Sequence, residues 1–311
     1  MARVVFFGTP DYAIPALEAL LAQHTVVAVV TQPDRLAGRG RRTLVKPPVK
    51  VVAEAHGAPV YQPGRLSRDA ETLAALQAAQ ADLFVLAAYG QILRPNVLAI
   101  PPQGVIGLHA SLLPRWRGAA PVAAAIRTGD AETGVTLMLT EAGLDTGPVL
   151  ARRATPIRER DTMASLTERL AVLAAELLIE RLPAWLRGEI TPVPQDDAQA
   201  TYAPEVAKAE GAIDWRASAV AIDRHIRAMT PWPGAYTHLD RERIAILAAR
   251  PLPEGRHGGL PGCIVAVDEG LAVVTGEGLL LLEQMQPAGK KPMAPDAFAR
   301  GRPDAIGAVL G

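Results

Sequence analysis

Four residues in the middle of the chain could move protons or hold anions: His109, Arg115, Arg117 and, further on, Asp145. An unperturbed histidine ionises near pH 6.5, which suits it to accept and return a proton close to neutrality. His109 follows an apolar run broken by one glycine, Val105-Ile106-Gly107-Leu108. It precedes a loop carrying Ser111, Pro114, Arg115, Trp116, Arg117 and Gly118. A buried strand that ends in such a loop is where open α/β sheets place their ligands. Asp145 lies in Gly143-Leu144-Asp145-Thr146-Gly147, a glycine-bounded turn after another strand-like run. From there a carboxylate could reach His109, orient the ring and stabilise its charged form. Each residue also has a purely structural reading, as a histidine capping a strand end and as an aspartate closing an Asx turn.

The elements that would position these groups alternate. Arg3 to Phe7 reads as a buried strand, followed by a Gly8-Thr9-Pro10 turn and a helix over about Asp11 to Gln23. Thr25 to Val30 completes a βαβ unit and predicts a parallel pair. Helices near 49–56 and 68–79, a strand near Val60 and the continuous apolar run Asp82 to Ala88 extend the pattern. Further on come a helix over about 119–128, strands over 133–140 and 149–154, and a long amphipathic helix over 161–187. The fold class is therefore α/β, a doubly wound and mostly parallel sheet. Residues 189–205 have no apolar period and read as a linker between a domain at 1–188 and a second at 206–311. The second domain shows one helix over 217–229, then short strands divided by Gly/Pro turns, which predicts a small OB-like β-barrel. Trp232 is expected in its core.

Composition narrows the chemistry. The 311 residues carry 32 basic and 32 acidic side chains, so contact with a polyanion needs a local patch. The stretch Thr31 to Lys50 supplies one: Arg35, Arg39, Arg41, Arg42, Lys46 and Lys50 against Asp34 alone, in a non-helical context of glycine and proline. It reads as a solvated loop or as an arm for phosphates, since guanidinium forks suit phosphate and long insertions are usually functional. The single cysteine, Cys263, excludes internal disulfides and disfavours a thiolate metal site. No apolar run is long enough for a membrane span, the N-terminus lacks a signal-peptide pattern, and the expected setting is cytoplasmic. The GxGxxG dinucleotide pattern is missing after the first strand.

The stretch IGLHASLLPRWRGAAP, with AGLDTGPVL downstream, resembles the folate-dependent formyltransferases. The opening FFGTPDYAIPALEAL, the strand end AAYGQIL, the motif YAPEVAKAEGAIDW and the tail LLEQMQPAGKKPM extend the resemblance over essentially the whole chain. The basic TQPDRLAGRGRR and the QPAGKK tail resemble the branch that acts on a charged initiator tRNA. The resemblance implies transfer of a formyl group from 10-formyltetrahydrofolate to the α-amine of methionyl initiator tRNA, for translation initiation. It implies His109 and Asp145 as catalytic, and Leu86, Tyr89, Gly90, Ser111, Leu112, Leu113 and Pro114 as the tetrahydrofolate-binding set. Arg39, Arg41 and Arg42 are candidates for the tRNA acceptor stem, with Lys208, Lys290 and Lys291 following phosphates further along. No metal is implied, and the expected state is a monomer with no membrane partner.

One position departs from the family. An asparagine stands two places before the histidine in that pattern, and here that position is Gly107. Losing one oxyanion donor typically costs about 10²–10³ in rate. A formyltransferase of nucleotide-linked amino sugars, a formyl-folate hydrolase and a catalytically weakened folate- or tRNA-binding protein remain as alternatives.

Overall fold

The computed structural model describes residues 1–37, 43–252 and 258–311. It divides into two compact units, each described separately.

The first unit comprises 1–121, 132–156 and 167–203. Its first half runs β1 (Arg3–Gly8), α1 (Ile14–Gln23), β2 (Thr25–Val30), β3 (Arg35–Ala37), β4 (Thr43–Val45), α2 (Pro48–Ala55), β5 (Val60–Tyr61), α3 (Ala70–Ala78), β6 (Leu83–Ala87) and α4 (Pro95–Leu98). Next come β7 (Val105–His109), β8 (Arg117–Gly118), α5 (Pro121–Thr128), β9 (Glu132–Leu139), β10 (Val149–Pro156), α6 (Met163–Leu186) and β11 (Tyr202–Ala203); most of α5 and the start of α6 belong to the second unit. The main sheet has the order β10-β9-β7-β6-β1-β2-β5. From β7 to β5 it is parallel, and β9 and β10 add antiparallel strands beyond β7. The central strands are continuous apolar runs because helices cover both faces of a parallel sheet. Val5, Phe7, Phe84 and Val105 share one face with Leu76, Leu93 and Val97 in a buried cluster. Local signals set the helix starts: Asp69 caps α3 by accepting from the Thr72 N–H, and prolines occupy the first turns of α1 and α2.

Two stretches differ from expectation. The described parts of the basic stretch, 31–37 and 43–50, are less irregular than their composition suggests, because β3 and β4 pair antiparallel with Leu36 opposite Leu44. The stretch expected as a linker packs as structure: Val193 bridges to Val149, and β11 lies parallel to β8.

The second unit comprises 122–131, 157–166 and 204–311. It contains α7 (Ala219–Met229), then β12 (Tyr236–Leu239), β13 (Glu242–Leu252), β14 (Ile264–Val267), β15 (Gly270–Val274), β16 (Leu279–Pro287) and α8 (Pro295–Gly301). The five strands form an antiparallel sheet of order β12-β13-β16-β15-β14. It curls in the OB-like manner expected, and the chain's final residues join its two edges. Gly311 exchanges both main-chain hydrogen bonds with His238 of β12, while Ala308 accepts from Ile264 of β14 and Leu310 donates to Gly262 beside it. The core tryptophan is Trp215, whose indole N–H donates to Thr237 Oγ1 at 3.0 Å. Trp232 is instead 53% exposed, in the proline-flanked turn after α7. No helix among the described residues is long and apolar enough to cross a membrane, and no His/Cys/Asp/Glu group there could hold a metal ion.

Leu310 is buried where the final residues join the sheet edges. Leu310→Ala should destabilise the second unit by about 2–4 kcal/mol, read as a lower denaturation midpoint at unchanged slope.

Candidate active site

β7 delivers the imidazole. Alternation along a strand places Val105, Gly107 and His109 on one face, and His109 is the last residue before the loop. Its ring orientation is fixed from that loop, because Nε2 lies 2.8 Å from the Trp116 carbonyl oxygen. A carbonyl only accepts, so Nε2 carries the hydrogen and Nδ1 is the nitrogen left to exchange a proton. Asp145 Oδ2 faces Nδ1 at 3.7 Å. That spacing is ion-pair range and longer than a direct hydrogen bond. The two residues singled out from the sequence therefore meet at one partly covered place, with His109 only 9% exposed.

The carboxylate is held from behind. Asp145 adopts a left-handed backbone, φ +53°, which aspartate tolerates better than most residues. Its Oδ2 accepts the Gly118 N–H at 2.8 Å. Gln195 Nε2 donates to the carbonyls of Asp145 and Gly147, and Gln195 Oε1 accepts from Arg117. Arg117 is 2% exposed and pairs with Asp197 Oδ1 at 2.7 Å. Burial opposes its charge, but the hydrogen bonds to Asp197 and Tyr202 outweigh that and hold its pKa above the ordinary arginine range. Arg117 is thus a support within the fold, whereas Arg115 stacks over the Trp116 ring at 4.3 Å.

Position 107 carries no side chain, and the space is already taken. A Cβ there would stand 2.9 Å from Thr140 Oγ1 and 3.3 Å from Met138 Cε. Thr140 Oγ1 is buried and has no hydrogen-bond partner among the described residues.

The expected folate set lies at the ends of the adjacent strands β6 and β7. Leu86 is in register with Gly107 and half-buried, as are Leu112 and Pro114. Gly90 is exposed with φ +85°, close to the Gln32 side chain. The Tyr89 ring is turned into the core, 1% exposed, and burial raises its pKa well above the ordinary tyrosine range. Its carbonyl accepts from Thr9 Oγ1 and Gln32 Nε2. Ser111 and Leu113 are buried, with the Ser111 hydroxyl donating to the Arg115 carbonyl at 2.6 Å. These two hold the loop together, while Leu86, Leu112 and Pro114 are the half-buried apolar members of the set, the residue type that lines sites for flat heteroaromatic rings.

Of the polyanion candidates, Arg39, Arg41 and Arg42 lie outside the described residues. Around them, Lys50 pairs with Asp34 at 2.8 Å and Lys46 with Glu54 at 2.7 Å. The Lys50 and Gln62 hydrogen bonds hold the Asp34 carboxyl below the usual range. Lys208, Lys290 and Lys291 are exposed in the second unit. Gln195, Thr140 and the strap over 189–203 were not legible as site residues. The only sequence signal for the strap was a polar run too rich in side-chain acceptors and donors for a plain tether.

A doubly wound sheet that sets a histidine against an aspartate at the end of β7 has the groups that proton exchange during a group transfer requires. The "Formyl transferase" model matches residues 2–182 and the "Formyl transferase, C-terminal domain" model matches 205–303. The chain belongs to the formyl transferase family. A methionyl-tRNA formyltransferase from Halorhodospira halophila is 49% identical over 303 residues, covering 97% of this chain and 96% of that protein. The fold is also that of the Helicobacter canadensis N-formyltransferase solved with folinic acid and dTDP-3-aminofucose, at TM-score 0.69 and 17% identity over 91% of this chain and 98% of that one. HypX from Aquifex aeolicus, solved with tetrahydrofolic acid, gives TM-score 0.64 at 20% identity over 97% of this chain, which spans 47% of HypX.

Because Thr140 fills the space beside position 107, Gly107→Asn should cost about 1–3 kcal/mol of stability as an overpacked substitution. Adding Thr140→Ala should recover most of that loss, a coupling readable in a denaturant double-mutant cycle.

Proposed function

We propose that the chain transfers a formyl group from 10-formyltetrahydrofolate to the α-amino group of methionyl initiator tRNA, supplying the formylated initiator for translation in the cytoplasm. The observation that carries this reading is the His109–Asp145 juxtaposition at 3.7 Å where β7 ends. Near-full-length similarity to a methionyl-tRNA formyltransferase supports the choice of acceptor. The division into a catalytic domain at 1–188, a connecting stretch at 189–205 and a tRNA-contacting domain at 206–311 belongs to this proposal, as does a monomeric state.

In this reading Leu86, Leu112 and Pro114 wall the pterin, with Gly90 allowing close approach of the main chain. 10-Formyltetrahydrofolate, when bound, supplies the formyl carbon on N10. The amine nitrogen bonds to that carbon, giving a tetrahedral intermediate with a developing oxyanion. His109 takes the amine proton at Nδ1 while Trp116 holds the opposite nitrogen. Asp145 stabilises the resulting imidazolium, which returns a proton to N10 as the carbon–N10 bond breaks. Gly107 offers no side-chain donor to the oxyanion, and the Thr140 hydroxyl, without a hydrogen-bond partner among the described residues, is a polar group beside it. Arg39, Arg41 and Arg42 serve the acceptor stem, and Lys208, Lys290 and Lys291 the more distant phosphates.

Gly107 favours one second reading, a protein that binds folate or tRNA with little turnover. A single-turnover assay with 10-formyltetrahydrofolate separates the two. Formyl transfer to charged initiator tRNA, and none to a nucleotide-linked amino sugar, is the expected result; binding without transfer favours the second reading. His109→Ala should lower the transfer rate at least about 10²-fold with little change in melting temperature. Neutralising Arg39, Arg41 and Arg42 together should raise the tRNA KM and flatten its logarithmic salt dependence by about 2–3 units, leaving folate binding intact.

A further inference from the structure

We propose that Gln195 is a positioning residue for formyl transfer: its side-chain amide fixes the backbone of the loop that presents the Asp145 carboxylate to His109. The inference rests on the functional reading above. It gives the stretch over 189–203 a role in the chemistry of the first unit.

Gln195 uses the whole hydrogen-bonding capacity of a primary amide. Nε2 donates to the Asp145 carbonyl at 2.8 Å and to the Gly147 carbonyl at 2.7 Å. Oε1 accepts from Arg117 Nε at 3.1 Å and Nη2 at 2.9 Å. Carbonyls only accept and a guanidinium only donates, so the amide has a single allowed orientation and no charged residue could take its place. The loop needs such a clamp. Asp145 sits at φ +53°, and a non-glycine residue stays in the left-handed region only when its surroundings determine it.

The other end of the clamp is anchored. The Arg117 guanidinium is buried and paired with Asp197 at 2.7 Å, and the Arg117 N–H donates to the Thr201 carbonyl at 2.8 Å. Its neighbour Gly118 donates its own N–H to Asp145 Oδ2. The two residues of β8 therefore hold Asp145 by two routes, Gly118 at the carboxylate and Arg117 through Gln195 at the main chain. Gln195 has no hydrogen bond to the imidazole, so its effect on proton exchange passes through Asp145.

Gln195→Met keeps the length of the side chain and removes all four hydrogen bonds. Its kcat should fall about 10–10²-fold, as expected when a reacting group drifts by about 1 Å, while KM for both substrates stays within about twofold. In an Asp145→Asn background the same substitution should cost less than about threefold, because the carboxylate through which it acts is gone. A wild-type kcat in Gln195→Met, or equal losses in both backgrounds, overturns the proposal. Should Gln195→Met fail to fold, Gln195→Asn keeps the amide, shortens its reach and enters the same double-mutant cycle, where an unchanged kcat or equal losses again overturn the proposal. An active wild type with a silent Gln195 substitution sinks this inference alone; a wild type that formylates no amine sinks the functional reading and this inference with it.

Discussion

An imidazole tied at one nitrogen to a main-chain carbonyl, and faced at the other by a carboxylate, is the constraint on which the rest of the first unit depends. Neither side chain takes its orientation from a strand alone. The Trp116 carbonyl that orients His109 comes from a left-handed residue, φ +62°, and Asp145 is left-handed as well. Each such residue costs about 1–3 kcal/mol and persists only where neighbouring bonds determine it. Many of those bonds come from residues 195 to 202, which brace both loops. Thr201 Oγ1 accepts the Trp116 N–H, and Gln195 takes the opposite side at Asp145 and Gly147.

Much of the scaffold was legible because its signals are local. Short uninterrupted apolar runs such as Leu83–Ala87 read as central strands, and a capping Asp69 or a first-turn proline marks a helix start without tertiary information. His109 and Asp145 were legible as residue types at strand ends. Their supports were not. Gln195 acts through an amide whose partners lie 50 and 78 positions away, a relation with no periodic trace. The crowding of Gly107 by Thr140 depends on the β7–β9 register, which apolar content alone does not set. Trp215 and Trp232 are indistinguishable by type, and only the hydrogen bond to Thr237 and the turn after α7 separate core from surface.

Charge follows the same logic. The chain is neutral as a whole, and its one strongly basic stretch spends two lysines on internal pairs, Lys46 with Glu54 and Lys50 with Asp34. Those pairs brace the base of the β3–β4 ribbon against α2 and concentrate the remaining positive charge on arginines. Guanidinium suits that task better than ammonium, since it meets phosphate with two parallel donors and is less strongly hydrated.

The strap has a temporal consequence for a chain made from its N-terminus. Every strand of the large sheet has been synthesised by Pro156, yet the turn bearing Asp145 stays unclamped until residues 195 to 203 have emerged and laid β11 alongside β8. A nascent fragment ending at residue 188 contains every strand of that sheet but not the Gln195 amide that holds the Asp145 turn. The sheet and the brace on its Asp145 turn are thereby encoded in separate, successive parts of the chain.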